Sequence, residues 1–150
     1  MKSRKQLVSK DLLHYLRALP EGAAPTTAAY VANGAELVTT EEMNILRALL
    51  PEIRKKLSQL NAPDAFVQRV ELLAVYFEEM LGAPASAWTA RQQTAFALLY
   101  FLKGYDRIPD SIPEIGYLDD AAVVNQVIDN HREALHAHWT HRHRGWPEGI

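Results

Sequence analysis

The chain has 150 residues, 48% of them hydrophobic and 23% charged, with a formal net charge of −2 and no cysteine. That size and balance suit a single folded domain with a real core and exclude a disordered chain. The charge makes no case for a nucleic-acid partner. The missing thiols exclude disulfides, thiolate metal sites and cysteine nucleophiles, and are compatible with a reducing cytoplasm.

The N-terminus starts basic, like a signal peptide, but Lys10, Asp11 and His14 interrupt the apolar run such a peptide needs. Leu7/Val8, Leu12, Tyr15/Leu16 and Leu19 recur at helical spacing and predict a first amphipathic helix that stops before Pro20 and Gly22. From Pro20 to Thr39 the chain reads as a connection with at most a short helix around Thr27 to Asn33. Thr39 and Glu42 then form a capping box ahead of the cleanest period in the chain, Met43, Leu46, Leu50, Ile53, Leu57 and Leu60. Pro51 inside that run predicts a kinked pair of segments sharing one apolar face. Beside the face, Arg54, Lys55 and Lys56 read as a solvated basic edge or an anion patch.

Pro63-Asp64 opens a further helix with Phe66, Val70, Leu73, Phe77 and Met80/Leu81 inward, ending at Gly82. Thr89 and Gln92 are candidate caps for the next helix, whose run Ala95 to Leu102 is too short to cross a bilayer and reads as buried. A last helix is expected from near Asp119 to about His141. No segment alternates with period two. The expectation is all-α: a single-domain bundle, residues 1–150, of about five to six helices, with a proline-rich acidic loop between the last two.

That loop carries the most distinctive residues. Ile108-Pro109-Asp110 and Ile112-Pro113-Glu114 are tandem Ile-Pro-acid units. Each proline pushes the isoleucine before it toward extended backbone and suits the first position of a turn. The pair therefore predicts two turns with isoleucines on one side and acids on the other. Gly116 is a conformationally permissive hinge, and Asp119 or Asp120 is placed to cap the last helix.

Taken together, Tyr100, Phe101, Asp106, Ile108, Pro109, Asp110, Ile112, Pro113, Gly116, Tyr117, Leu118, Asp119 and Asp120 resemble the signature of the YkvA-like family, whose domain has no known function. The resemblance covers about residues 95–128. It implies a helix, a proline-rich acidic loop and a second helix, with no catalytic residues to carry over. It also implies membrane association as a theme of the family; Arg107, Ser111 and Glu114 stand here where relatives often have apolar residues, which favours a soluble or at most membrane-peripheral form.

Between Asp106 and Asp120 lie five carboxylates, Asp106, Asp110, Glu114, Asp119 and Asp120, against Arg107 alone. Crowded carboxylates raise one another's pKa unless something compensates. They can cap helix and turn N–H groups, bind Mg²⁺ or Ca²⁺, or receive a basic partner such as Arg54 to Lys56 of another copy. The spacing is not that of an EF-hand, and no third acid follows Asp119-Asp120. A metal site would be assembled from Asp106, Asp110, Glu114, Asp119, Asp120 and His131. His131 shares a helix face with Val124, Ile128 and Leu135, so it also reads as a hydrogen-bonded core histidine.

The tail, residues 136–150, holds His136, His138, His141 and His143 with Arg142 and Arg144, without the four-residue spacing of a helical zinc pair. It reads as a frayed, solvated helix end whose cations complement the helix dipole, with Trp139 and Trp146 tacking it to the body or to a partner. No nucleophile elbow, phosphate loop, dinucleotide fingerprint or H-E-x-x-H motif occurs, which leans against an enzyme. The reading that follows is a cofactor-free binding or scaffold module. Its surface is Asp110, Glu114, Arg107 and Tyr117, and its partner is a protein or a second copy of the chain.

Overall fold

The computed structural model describes residues 9–17, 26–80, 87–102 and 116–150, with the side chains at 13, 17 and 116–119 outside the description. Among these residues there are seven helices and no strand: α1 (Lys10–Arg17), α2 (Thr27–Ala35), α3 (Thr40–Gln59), α4 (Asp64–Glu79), α5 (Trp88–Phe101), α6 (Gly116–Asn130) and α7 (Arg132–His141). The all-α expectation holds, with more helices than the five to six expected. The short helix allowed around Thr27 to Asn33 is α2, and the single last helix is divided.

The middle of the bundle is α5, which packs against α2, α3, α4 and α6. Every residue from Gln93 to Leu102 is buried. A helix apolar on all sides finds a stable place only where other helices surround it, and the run from Ala95 to Leu102 meets that condition. At the α1–α2–α5 junction Tyr15 stacks on Tyr30 with ring centroids 4.8 Å apart, and Phe96 meets Tyr30 edge-on at 5.6 Å. The Tyr15 hydroxyl donates to the Tyr30 carbonyl at 2.7 Å. Gly34 is what lets these rings close. A Cβ there would fall 2.4 Å from Phe96 and 2.5 Å from Tyr15, too close for any side chain without displacement.

The periodic residues of α3 are buried as their spacing predicts: Met43, Leu46, Leu50, Ile53 and Leu57. Pro51 does not divide the element, which runs as one helix from Thr40 to Gln59. The capping box at Thr39 and Glu42 is present. Glu42 does more than cap: only 3% exposed, it accepts Thr39 N–H at 2.9 Å and Ser9 N–H at 2.7 Å, tying the entry of α1 to the entry of α3. Pro63 sits at the N-cap of α4, and Phe66, Val70, Leu73 and Phe77 are buried. Thr89 and Gln92 do not cap α5. The helix begins at Trp88, after Ala87, with no side-chain cap, and the Gln92 amide instead donates to the Val38 carbonyl at 3.0 Å.

Two corrections concern the last helix. It begins at Gly116, so Asp119 and Asp120 lie inside its first turns rather than at its cap. Negative charge there still complements the helix dipole. It also breaks at His131, whose backbone leaves the helical region (φ −124°, ψ 24°) while its N–H is shared between the carbonyls of Val127 and Ile128.

Candidate functional site

Asp106, Arg107, Asp110 and Glu114, with both Ile-Pro turns, lie outside the described residues, as do the side chains of Tyr117 and Asp119. The two ends of that segment are described. On one side α5 is buried through Leu102. Its last carbonyls are not left to water: Lys56 Nζ donates to the Phe101 carbonyl and sits 4.6 Å from the centre of the Phe101 ring. Phe66 of α4 packs on the same ring with centroids 6.0 Å apart. On the other side α6 packs against α5 and buries Val123, Val124, Val127 and Ile128. Asp120 is only 3% exposed and is engaged by neighbours within the fold.

His131 lies where its face predicted, against the core. Its Nε2 is 2.9 Å from Gln93 Oε1, which also accepts the Asn130 amide at 2.9 Å. An amide oxygen only accepts, so His131 donates through Nε2. Burial holds its pKa below the ordinary value of 6.5. This is the arrangement of a neutral core histidine. Among the described residues no group of three or more His, Asp or Glu converges in a way that would hold a metal ion.

The basic edge of α3 is engaged within the chain. Arg54 pairs with Glu71 at 3.3 Å and Glu78 at 3.5 Å, both on α4, and Lys56 caps α5. Lys55 alone of the three is exposed. Below Arg54, between α3 and α4, runs a cleft of about 580 Å³ lined by Leu57, Val67, Leu72, Val75, Trp139 and Pro147. Residues from three parts of the sequence form it, so no local pattern announced it.

The histidine-rich end is ordered rather than frayed. α7 closes with Arg144 N–H on the Trp139 carbonyl at 2.9 Å and His143 N–H on the Thr140 carbonyl at 2.9 Å. This is a Schellman turn, and its left-handed position, normally glycine, is His143 at φ 59°. The turn sends Arg144 back to α4, where Glu79 accepts from Arg144 and from His138 (2.8 Å) and lies 3.6 Å from Arg142 Nε. Burial raises the Glu79 pKa, but hydrogen bonds from Arg144 and His138 and the charges of Arg144 and Arg142 outweigh it, so the net shift is downward. Trp139 and Trp146 do tack the tail to the body: Trp139 is buried, and the two rings meet edge-on at 5.9 Å. Arg69 of α4 donates to the Gly149 carbonyl at 2.8 Å.

Residues 93–125 match a family model described as a protein of unknown function (DUF1232). The resemblance to the YkvA-like family therefore holds over this segment, with boundaries close to those expected from the signature. The matched stretch runs from within α5 to within α6: it opens at Gln93, the buried partner of His131, and contains both anchored ends and the acidic segment between them. No curated protein and no solved structure matches the chain.

Proposed function

We propose that the protein is a non-catalytic binding module in which residues 103–115 are the recognition element and the bundle is its support. One observation carries this reading. The segment that concentrates Asp106, Asp110 and Glu114 leaves and re-enters the fold on α5 and α6, two helices that pack directly on each other, one of them buried to its last residue. A recognition surface whose ends are fixed loses less entropy on binding, and prolines at fixed φ lower that cost further. The acids favour a basic partner, and Arg107 and Tyr117 add a hydrogen-bonding fork and an aromatic face at the same place in the chain.

The test is a comparison of the proteins retained by the immobilised wild type and by an Asp110→Asn/Glu114→Gln variant. The proposal requires a partner that the wild type retains and the variant loses while melting temperature is unchanged. Identical retention by both would overturn it. Chelator-stripped protein melted with Mg²⁺ or Ca²⁺ separates the metal alternative: a saturable rise, absent in the variant, would assign the acids to a cation instead.

A further inference from the structure

The cleft of about 580 Å³ between α3 and α4 is a built cavity rather than an uncovered helix face. Its floor is made by side chains that the fold already buries, Leu57, Leu72 and Trp139. Val67 and Val75, half-buried on α4, add to the lining. Pro147 supplies a wall from the C-terminal tail, and the chain on both sides of it is fixed. Before it, the Trp146 ring meets His136 with centroids 4.8 Å apart and Trp139 at 5.9 Å. After it, Arg69 of α4 donates to the Gly149 carbonyl at 2.8 Å, and Arg132 of α7 donates to the Ile150 carbonyl at 2.7 Å. The cleft therefore has a side that α3 and α4 alone would not give it.

The charges of the lining are matched to each other. It holds one cation and one anion, Arg54 and Glu71, which pair at 3.3 Å. Arg54 also reaches Glu78 at 3.5 Å, so its charge is already shared between two carboxylates. The other polar side chains of the lining, Ser58 and Gln68, are neutral and exposed. The Ser58 hydroxyl donates to the Lys55 carbonyl at 2.8 Å, which leaves its oxygen able to accept a further hydrogen bond. An ionised ligand would give up water against leucine, valine and tryptophan without gaining a partner for its charge. A neutral one gains apolar burial without that cost. An apolar cavity of about 300–1,000 Å³ with a few polar groups at its edge is the usual form of a small-molecule site.

We propose that this cleft binds a neutral small molecule with an apolar body and one hydrogen-bonding end. The body lies on Leu57, Leu72 and Trp139, and the end is directed to Ser58 and Gln68. The site is separate from residues 103–115 and does not depend on their role.

The experiment uses the full chain and N-phenyl-1-naphthylamine, a neutral fluorophore whose emission rises in apolar surroundings. Bound probe is then competed with 1-decanol, decanoate and decylammonium. The expected result is saturable binding at one site, with 1-decanol displacing the probe better than either ion. Val67→Trp fills the cleft from a half-exposed position and should weaken binding about tenfold or more. Should that variant fail to fold, Val75→Gln, which puts a polar amide into the lining, carries the comparison and should also weaken binding. No saturable binding, or equal binding by wild type and the folded variant, would overturn the assignment. Stronger displacement by decanoate or decylammonium than by 1-decanol would overturn the neutral class. Sedimentation as a dimer in the wild type and as a monomer in the variant would give the cleft to a second copy and also overturn it.

Discussion

The buried helix α5 and the C-terminal tail are held in place by opposite means. α5 is enclosed by four other helices and is held chiefly by apolar burial from Ala95 to Leu102, with Gln92, Gln93 and the Phe101 carbonyl making its polar contacts to other elements. Beyond the buried ring of Trp139, the tail meets the bundle through a limited set of polar contacts: Glu79 with His138, Arg142 and Arg144, and Arg69 with the Gly149 carbonyl. Apolar burial is spread over many atoms and is insensitive to pH. A shared carboxylate concentrates its effect in one side chain and disappears when that side chain is neutralised. The two regions should respond differently to the same perturbations.

The largest effect should come from removing aromatic mass at the α1–α2–α5 junction. Phe96→Ala should cost about 3–5 kcal/mol, read by chemical denaturation. A loss below about 1 kcal/mol would mean the rings are not packed as described. Gly34→Ala tests the same junction from the other side. A Cβ at 2.4 Å from Phe96 must displace a ring that is itself enclosed, so about 1–3 kcal/mol should be lost. Stabilisation by this alanine, as helix propensity alone would give, would contradict the close approach.

On the tail the effects are smaller. Glu79→Gln keeps the shape of the side chain and removes the charge that His138, Arg142 and Arg144 share. It should cost about 1 kcal/mol, a charge-assisted hydrogen bond discounted for partial exposure. It should also shift the emission of Trp139 and Trp146 without loosening α5. His143→Gly should act the other way and stabilise by about 1 kcal/mol, because φ 59° costs a residue with a Cβ and costs glycine nothing. If the glycine variant melts lower, the left-handed turn is not there.

The pH dependence is the mildest expected effect. His131 is held neutral by burial, so the unfolded chain takes up its proton first. Stability is fully present above 6.5 and falls as pH drops through that value toward the lower folded one. Glu79 adds a second loss at lower pH, below 4.5, as its carboxylate becomes protonated in the unfolded chain before the folded one. His131→Gln should flatten the upper part of the profile and leave the lower part. An unchanged upper slope would assign it to another group.

Much of the bundle was legible in the sequence because its signals are local. The three-four spacing of Met43 to Leu57, the capping box at Thr39 and Glu42, and the apolar run at Ala95 to Leu102 each state a local preference that the fold keeps. The features that the sequence signalled weakly or not at all have a common cause. α2 is Ala/Gly-rich with weak periodicity, and what fixes it is distant packing of Tyr30 and Gly34 on Phe96. At the break His131 is bonded to Gln93, 38 residues away. The tail looked solvated because His and Arg dominate its composition, whereas Glu79, which organises it, lies on α4. Sequence spacing reports what one helix does alone and is silent about acceptors supplied by another. The family signature was legible for a different reason: its prolines and acids form a pattern recognisable without knowing what they touch.

The central claim is that the bundle supports residues 103–115 and does not depend on their acids. Amide hydrogen exchange on the wild type and on Asp110→Asn/Glu114→Gln tests this most directly. The account predicts the same protection along α5 and α6 in both proteins. Loss of protection at the start of α6 or the end of α5 in the variant would contradict it, and would make Asp110 and Glu114 helix caps rather than a surface for a partner.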